Sequence, residues 1–444
     1  MDTLPLPPRP NLDQYKKRAK SLVAAAQSDD PNTVRRWATE WLESLVALLG
    51  VAPSEFVRHS MDRAVTRIIE RVAAKRRPGD RVDRFGLADA QFVIAEAHSF
   101  ENWAAFARHV GGDSQLDPHD VDFERAADAV VNGHLETLAA LVIANPRLIR
   151  ERSSRVHHVT LLHYVAANGV EDFRQKTPTN AVEITRYLLG AGAEPDASAD
   201  TYGTDTLQTT MNLLVSSAHP AKAGLQSAIA EALLDYGAAV NGVANDESPL
   251  MTALRFGYID PAETLARRGA RIDAVVTAAS LGQLDLVRDM VVDARTLKPG
   301  VPLISTPWTP VPPDPRVHIE LALAWACKFA RSEVALFLLD IGVNPVAMDS
   351  DKMTALHWAS ANGMMVAVDE LLRRSVPLEA ENKWGGTLLN STLHFALYIP
   401  VDGVDYVPVL ERLLQAGANV HVVDYPTGNA RIDELFAKYG AVRR

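Results

Sequence analysis

The chain has 444 residues, more than one compact core holds at roughly 100 to 200 residues per domain, so several domains or an extended array are expected. Apolar residues make up 47% and charged residues 23%, which excludes disorder for most of the chain, and the single cysteine, Cys327, excludes an internal disulfide and a multi-thiolate metal site. The net charge of −10 divides into +3 on residues 1–111 and −13 on the remainder, and an acidic array repels polyphosphate, which argues against nucleic acid as a partner.

The N-terminal stretch MDTLPLPPRPNLDQ carries prolines where a secretory signal has an unbroken apolar run, and no window has the length of apolar residues a membrane span needs. No membrane insertion and a cytoplasmic location are therefore expected. Residues 1–111 hold four stretches with apolar residues at helical spacing: LDQYKKRAKSLVAAAQ, NTVRRWATEWLESLVALLG, FVRHSMDRAVTRIIERVAAKRR and LADAQFVIAEAHSFENWAAFARHV. They predict an N-terminal helical domain. Arg63, Arg67 and Arg71 recur at four-residue steps and share one helix face; the functional reading is nucleic-acid or membrane-surface contact, and the preferred one a solvated face or one that docks on acid. Residues 112–123 read as a linker, and the rest of the chain, 124–444, is repetitive.

Six segments of that part share a helix end, a turn and a polar exit: LLGAGAEPDA (188–197), LLDYGAAVNG (233–242), LARRGARIDA (265–274), LLDIGVNPVA (338–347), LLRRSVPLEA (371–380) and LLQAGANVHV (413–422). Five place glycine fifth, at Gly192, Gly237, Gly269, Gly342 and Gly417, where a left-handed helix-ending residue is expected; Ser375 is the departure. The wide gap between Gly269 and Gly342 predicts a further degenerate copy with helices in 275–294. A second shared element reads TLLHYVA (160–166), SPLMTAL (248–254), TALHWAS (354–360) and STLHFAL (391–397).

The stretch TALHWASANGMMVAVDELLRRSVPLEAENKWG is similar to an ankyrin repeat, with Thr354, Leu356, His357 and Ala359 on the family's T-P-L-H-x-A positions and Ala355 in place of its proline, which Pro249 supplies in another copy. The resemblance covers about residues 120 to 444. It implies an all-α, ankyrin-repeat solenoid of about eight repeats preceded by a small helical domain, each helix pair burying its apolar stripe against the next. LADAQFVIAEAHSFENW, through Leu87, Ala88, Asp89, Ala90, Gln91, Ala95, Phe100 and Trp103, resembles a segment found beside ankyrin arrays in uncharacterised bacterial proteins.

What the resemblance implies for the site follows copy by copy. The motif histidines His163, His357 and His394 are expected to bond neighbouring backbone. The residue after each faces the concave groove, which nominates Tyr164, Trp358 and Phe395, with Trp325 equivalent in LAWACKF. Trp325, Trp358 and Phe395 then form an aromatic stripe that serves as a partner anchor or closes the gap between repeats. Trp384 in ENKWGGTLLN joins them on a hairpin finger; the glycines there lack the spacing and lysine of a phosphate loop. In YGTDTLQTT, Tyr202, Asp205 and Thr206 line the groove, or Thr204, Asp205 and Thr206 serve as helix N-caps. His157 and His158, beside Arg155, read as exposed, and no third ligand at metal spacing follows, so no metal site is expected.

Insertions at 170–181, 217–225 and 298–318 lengthen three repeats, and the last, rich in proline and centred on Trp308, reads as a stiff lid or a splint. The combined reading is a non-enzymatic scaffold that binds a protein partner through the groove and fingers and needs no cofactor. The alternative is a groove closed by 298–318 into a pocket for a small apolar molecule, with acid–base chemistry from Asp205, Glu320 or Tyr202.

Overall fold

The computed structural model describes residues 3–7, 10–28, 30, 32–49, 55–76, 85–111, 118–202, 207–243, 248–304 and 311–443. The fold is all-α and ankyrin-like. Its contacts divide into two compact units, Met1–Pro249 and Leu250–Arg444.

The first unit opens with α1 (Leu12–Ala26), α2 (Thr33–Leu48), α3 (Glu55–Lys75), α4 (Leu87–Ala97) and α5 (Trp103–Val110). Asn11 caps α1 by accepting the N–H groups of Asp13 and Gln14, and Asn102 caps α5 through Ala105. Their apolar faces meet in one cluster that buries Leu22, Trp41, Ile68, Ile94, Phe100 and Phe106. On α3 the basic stripe meets acid in part: Arg71 reaches Glu96 at 3.4 Å, while burial and the neighbouring Arg71 lower the Arg67 pKa, opposed by Asp172.

Helix pairs follow. In the first unit they are α6 (Pro118–Asn132) with α7 (Leu135–Ala144), a 3-10 turn over Leu161–Ala166 with α8 (Ala181–Gly190), and α9 (Thr210–Val215) with α11 (Gln226–Asp235), after the short α10 (Ala218–Lys222). The second unit has α12 (Pro249–Phe256) with α13 (Ile259–Arg267), α14 (Val275–Ser280) with α15 (Leu284–Met290), α16 (Pro315–Lys328) with α17 (Ser332–Asp340), α18 (Ala355–Ala361) with α19 (Met365–Arg373), and α20 (Leu388–Tyr398) with α21 (Tyr406–Gln415), closed by α22 (Ala430–Lys438). The inner helices α14, α16, α18 and α20 pack in succession, each covering the next one's apolar face. Helix α6 begins inside the stretch read as linker, and residues 112–117 of that stretch lie outside the described residues. The degenerate copy sits where its pattern placed it, but its second helix stops at Met290. There Val291–Asp293 turns into a hairpin with Thr296–Leu297, because three β-branched or apolar residues followed by Asp-Ala-Arg favour strand and turn.

Six of the outer helices, α8, α11, α13, α17, α19 and α21, end as the shared turn predicts. Gly192, Gly237, Gly269, Gly342 and Gly417 all have φ between 89° and 102°, and Ser375 adopts the same left-handed region at 57°. The N–H that follows each glycine reaches back to the helix, as Ala193 does to the Leu188 carbonyl at 3.0 Å.

The N-terminal helices dock on the array through buried charge. Arg155 is 2% exposed; its guanidinium meets Glu124 at 2.8 Å and Glu171 at 2.7 Å and donates to the His98 carbonyl at 2.9 Å. Arg174 adds Glu124 and Asp128, each at 2.8 Å. Burial works against the Glu124 carboxylate, yet Arg155 and Arg174 outweigh it and hold its pKa at about 2. Glu171 and Arg174 belong to the 170–181 insertion, which is thus no surface loop but one wall of this network. His157, read as exposed, is fully buried 3.5 Å from Glu171, while His158 remains half-exposed beside Glu101.

Candidate functional site

The T-x-x-H copies build the inner helices from their first turn. The Thr354 N–H donates to His357 Nδ1 at 3.2 Å, and the Thr354 hydroxyl lies 2.8 Å from the same nitrogen. Thr160 and His163 repeat the pattern at 3.2 and 2.9 Å. Both rings are buried, and burial pulls the pKa of His163 down to about 3 and that of His357 to about 4, so both are neutral structural groups. His394 is a correction, because it is exposed and its ring meets that of Tyr398 at a tilt, 5.1 Å between centres. The cap of α20 is Thr387, whose hydroxyl accepts from the Asn390 N–H. The true copy is therefore T-L-L-N at 387–390, one helical turn before STLH, with asparagine in the histidine's place. Residues 209–212 do the same, Thr209 accepting from the Asn212 N–H at 3.3 Å.

One turn of slippage leaves Phe395 on the same helix face, and the structure brings the stripe together. Trp358 and Phe395 meet edge to face at 6.1 Å. The Lys328 ammonium stands between Trp325 and Trp358, 5.1 and 5.4 Å from the ring centres, and 5.5 Å from Phe329. It donates to the Arg255 carbonyl at 3.2 Å. Burial lowers the Lys328 pKa, opposed by Asp349 and Asp351. Trp358 is tied down as well, its indole N–H donating to Asp349 Oδ2 at 2.8 Å, while Asp349 Oδ1 accepts the N–H groups of Asp351 and Met353. Burial raises the Asp349 pKa against these hydrogen bonds.

Beside Trp325 lies a cavity of about 240 Å3. Met251, Leu321, Trp325 and Met348 give it apolar walls, and Arg255, Glu320 and Asp349 bring charge to it. The 298–318 insertion contributes Ile304, Val311 and Pro312. Its two legs are fixed by the buried His318, whose Nδ1 accepts from the Ile304 N–H at 3.3 Å and whose Nε2 lies 3.1 Å from the Pro312 carbonyl. Trp308 falls outside the described residues.

Trp384 is 69% exposed on its finger. Asn382 shapes that finger by accepting the N–H groups of Trp384 and Gly386, and Lys383 ion-pairs with Asp351 of the neighbouring finger while covering the Trp384 ring at 4.5 Å. In the first unit the nominated residues are held in other ways. Tyr164 is fully buried, a correction to its groove-facing assignment. It sits in a 3-10 turn, whose tighter winding rotates it inward to Arg174, 5.7 Å from its ring. Tyr202 is exposed and donates to Asn168 Oδ1 at 2.9 Å. Asp205 and Thr206 lie outside the described residues, and the cap of α9 is Thr209. Lys328, Asp349 and Met251 were not singled out in the sequence; the signal for Lys328 was its place three residues after Trp325, one turn along the same helix.

Among the described residues no helix is long and apolar enough to cross a membrane, and no group of three or more His, Cys, Asp or Glu is placed to hold a metal. No family model matches the chain, and no curated protein matches it. Solved structures do. One is the crystal structure of the human ASB11 ankyrin repeat domain, 18% identical, with 66% of this chain and 98% of that chain covered and a TM-score of 0.32.

Proposed function

We propose that the protein is a non-enzymatic recognition module that captures a segment of a partner protein on the inner-helix face of residues 250–444. The observation that carries this reading is the cavity beside Trp325, with apolar walls and charged groups around them. At about 240 Å3 it falls below the roughly 300 to 1,000 Å3 that encloses a drug-sized ligand, and it suits one anchoring side chain of a larger partner. Trp384 supplies a second, exposed contact on the finger, where a rigid aromatic gives much area for little entropy. Nucleic acid fits poorly, since Arg71 of the basic stripe is engaged with Glu96 and the chain carries a net charge of −10. In this reading residues 1–111 act as a helical domain ahead of the array, and the protein works in the cytoplasm.

A second reading has one observation behind it: Ile304, Val311 and Pro312 wall the cavity from the 298–318 insertion, as a lid over a small apolar molecule would. Peptide selection on the purified chain separates the two. The selected peptides are expected to share an apolar anchor and to lose more than about tenfold in affinity on Leu321→Trp, which fills the cavity, with the melting temperature retained. Peptide affinity that survives the filled cavity would refute the anchor, and saturable binding of small apolar compounds in place of peptides would establish the second reading.

A further inference from the structure

A second cavity, unrelated to the recognition face, lies in the first unit between the N-terminal helices and the 170–181 insertion. Its volume is about 310 Å3, within the range that holds small molecules. Leu42 and Leu45 of α2 with Leu49 just beyond its end line one side, Met61 of α3 another, and Leu4 and Phe173 add to them. The same lining includes Arg63, Arg67 and Asp172. This assigns a use to the basic stripe that the recognition site leaves aside. Of its three arginines, Arg71 pairs with Glu96 and Arg67 has Asp172 to oppose the burial that lowers its pKa, whereas Arg63 is exposed and has no ion-pair partner among the described residues. Two arginines against one carboxylate leave the charged edge of an otherwise apolar cavity net positive.

We propose that this cavity binds an amphiphilic anion, a medium-chain alkyl carboxylate, with the chain among Leu42, Leu45 and Met61 and the carboxylate on the Arg63 guanidinium. Apolar walls remove the alkyl chain from water, and a guanidinium offers a carboxylate two parallel N–H donors, a geometry a neutral or cationic head cannot use. Asp172 lies at the same edge and acts on Arg67, which leaves Arg63 as the head-group contact and one anion to the cavity. Because Phe173 and Asp172 come from the insertion and the remaining walls from the N-terminal segment, the ligand bridges the docking seam that Arg155 also spans.

The test uses the full chain and decanoate below its micelle-forming concentration, titrated calorimetrically beside decyltrimethylammonium, the cationic analogue of similar chain. One saturable decanoate site is expected, with the cation weaker by roughly tenfold or more and with Arg63→Gln lowering decanoate affinity by a similar factor. Met61→Trp, which fills the cavity, is expected to abolish binding in protein whose circular dichroism is unchanged. Should that variant fail to fold, the head-group comparison on the wild-type chain and the exposed Arg63→Gln variant still decide. No saturable site for decanoate, equal affinity for the cation, or decanoate affinity untouched by Arg63→Gln would each overturn the proposal.

Discussion

Replacing His357 with Asn removes a buried proton acceptor while keeping a polar group three residues after Thr354, the arrangement that residues 209–212 and 387–390 already use. Burial draws the His357 pKa to about 4, offset in part by the Ala380 carbonyl, whereas the unfolded chain titrates near 6.5. A histidine with a depressed folded pKa is neutral in the fold and takes up a proton on unfolding. Its contribution is therefore fully present above pH 6.5 and is lost as pH falls toward 4. At pH 5 the loss from this one ring is about 2 kcal/mol. His98 and His163, each at about 3, add losses of the same sign, but these are common to the wild type and the variant and cancel in the comparison. Glu124 stays out of the window, because a carboxylate held at about 2 loses its stabilising effect only below its unfolded pKa of 4.5. Urea unfolding at pH 7.5 and pH 5.0 reads the effect. The wild type should lose about 2 kcal/mol more than His357→Asn between the two pH values. Equal losses would show that the ring protonates inside the fold and that its structural assignment is mistaken.

Further predictions rest on single features. Ser375→Gly relieves a left-handed backbone that costs an L side chain roughly 1 kcal/mol, offset in part by glycine's unfolded-state entropy, so the variant should gain about 0.5 kcal/mol in a denaturant melt; a lower midpoint would refute it. Arg155→Met leaves Glu124 and Glu171 buried with less compensation and should cost about 3 to 5 kcal/mol, measured by the same melt with chevron or hydrogen-exchange readout of residues 95–100. Trp384→Ala should leave the melting temperature unchanged and weaken a selected peptide, whereas Trp358→Ala should lower both, because its indole N–H is bound to Asp349. His394→Ala should change stability by less than about 0.5 kcal/mol, in contrast to His357→Ala at about 1 to 3 kcal/mol.

The turns were legible in the sequence because a left-handed residue is a local demand of the backbone, which five glycines meet in identical context and which holds even Ser375 at φ 57°. The inner helices were half legible. Thr160-x-x-His163 and Thr354-x-x-His357 announce themselves, but in α9 and α20 the polar partner is asparagine, and STLH imitates the motif one turn too late. Reading the pattern as a cap followed three residues later by any polar side chain, rather than by its letters, finds all four. The buried network was not legible at all. Arg155, Glu124, Glu171 and Arg174 are separated by up to 50 residues in the chain, and a charged residue next to other charges ordinarily signals a solvated face. What reverses that expectation is docking of the N-terminal helices, which covers Arg155 from the His98 side and which no local pattern encodes.

In the repeat built on Leu161–Ala166 and α8, closure by the Thr160–His163 capping box and the left-handed turn at Gly192 explains how a segment is accommodated at 170–181, whereas α14 and α15 lack both and 298–318 instead follows the hairpin that ends at Leu297. A repeat whose first turn and last turn are fixed internally loses little when the connection between them lengthens, since loop closure costs only about 0.6 kcal/mol per doubling of length. The inserted residues are then free to be recruited by whatever they lie against. In 170–181 the neighbours are arginines and glutamates, so Glu171 and Arg174 complete an ion network and become core. In 298–318 the neighbour is the apolar flank of α16, so Ile304 and Pro312 are pinned by His318 and become the wall of a cavity. The two segments thus wall different things: 298–318 adds apolar surface beside Trp325, whereas Glu171 and Arg174 of 170–181 bury charge next to the fully buried Tyr164.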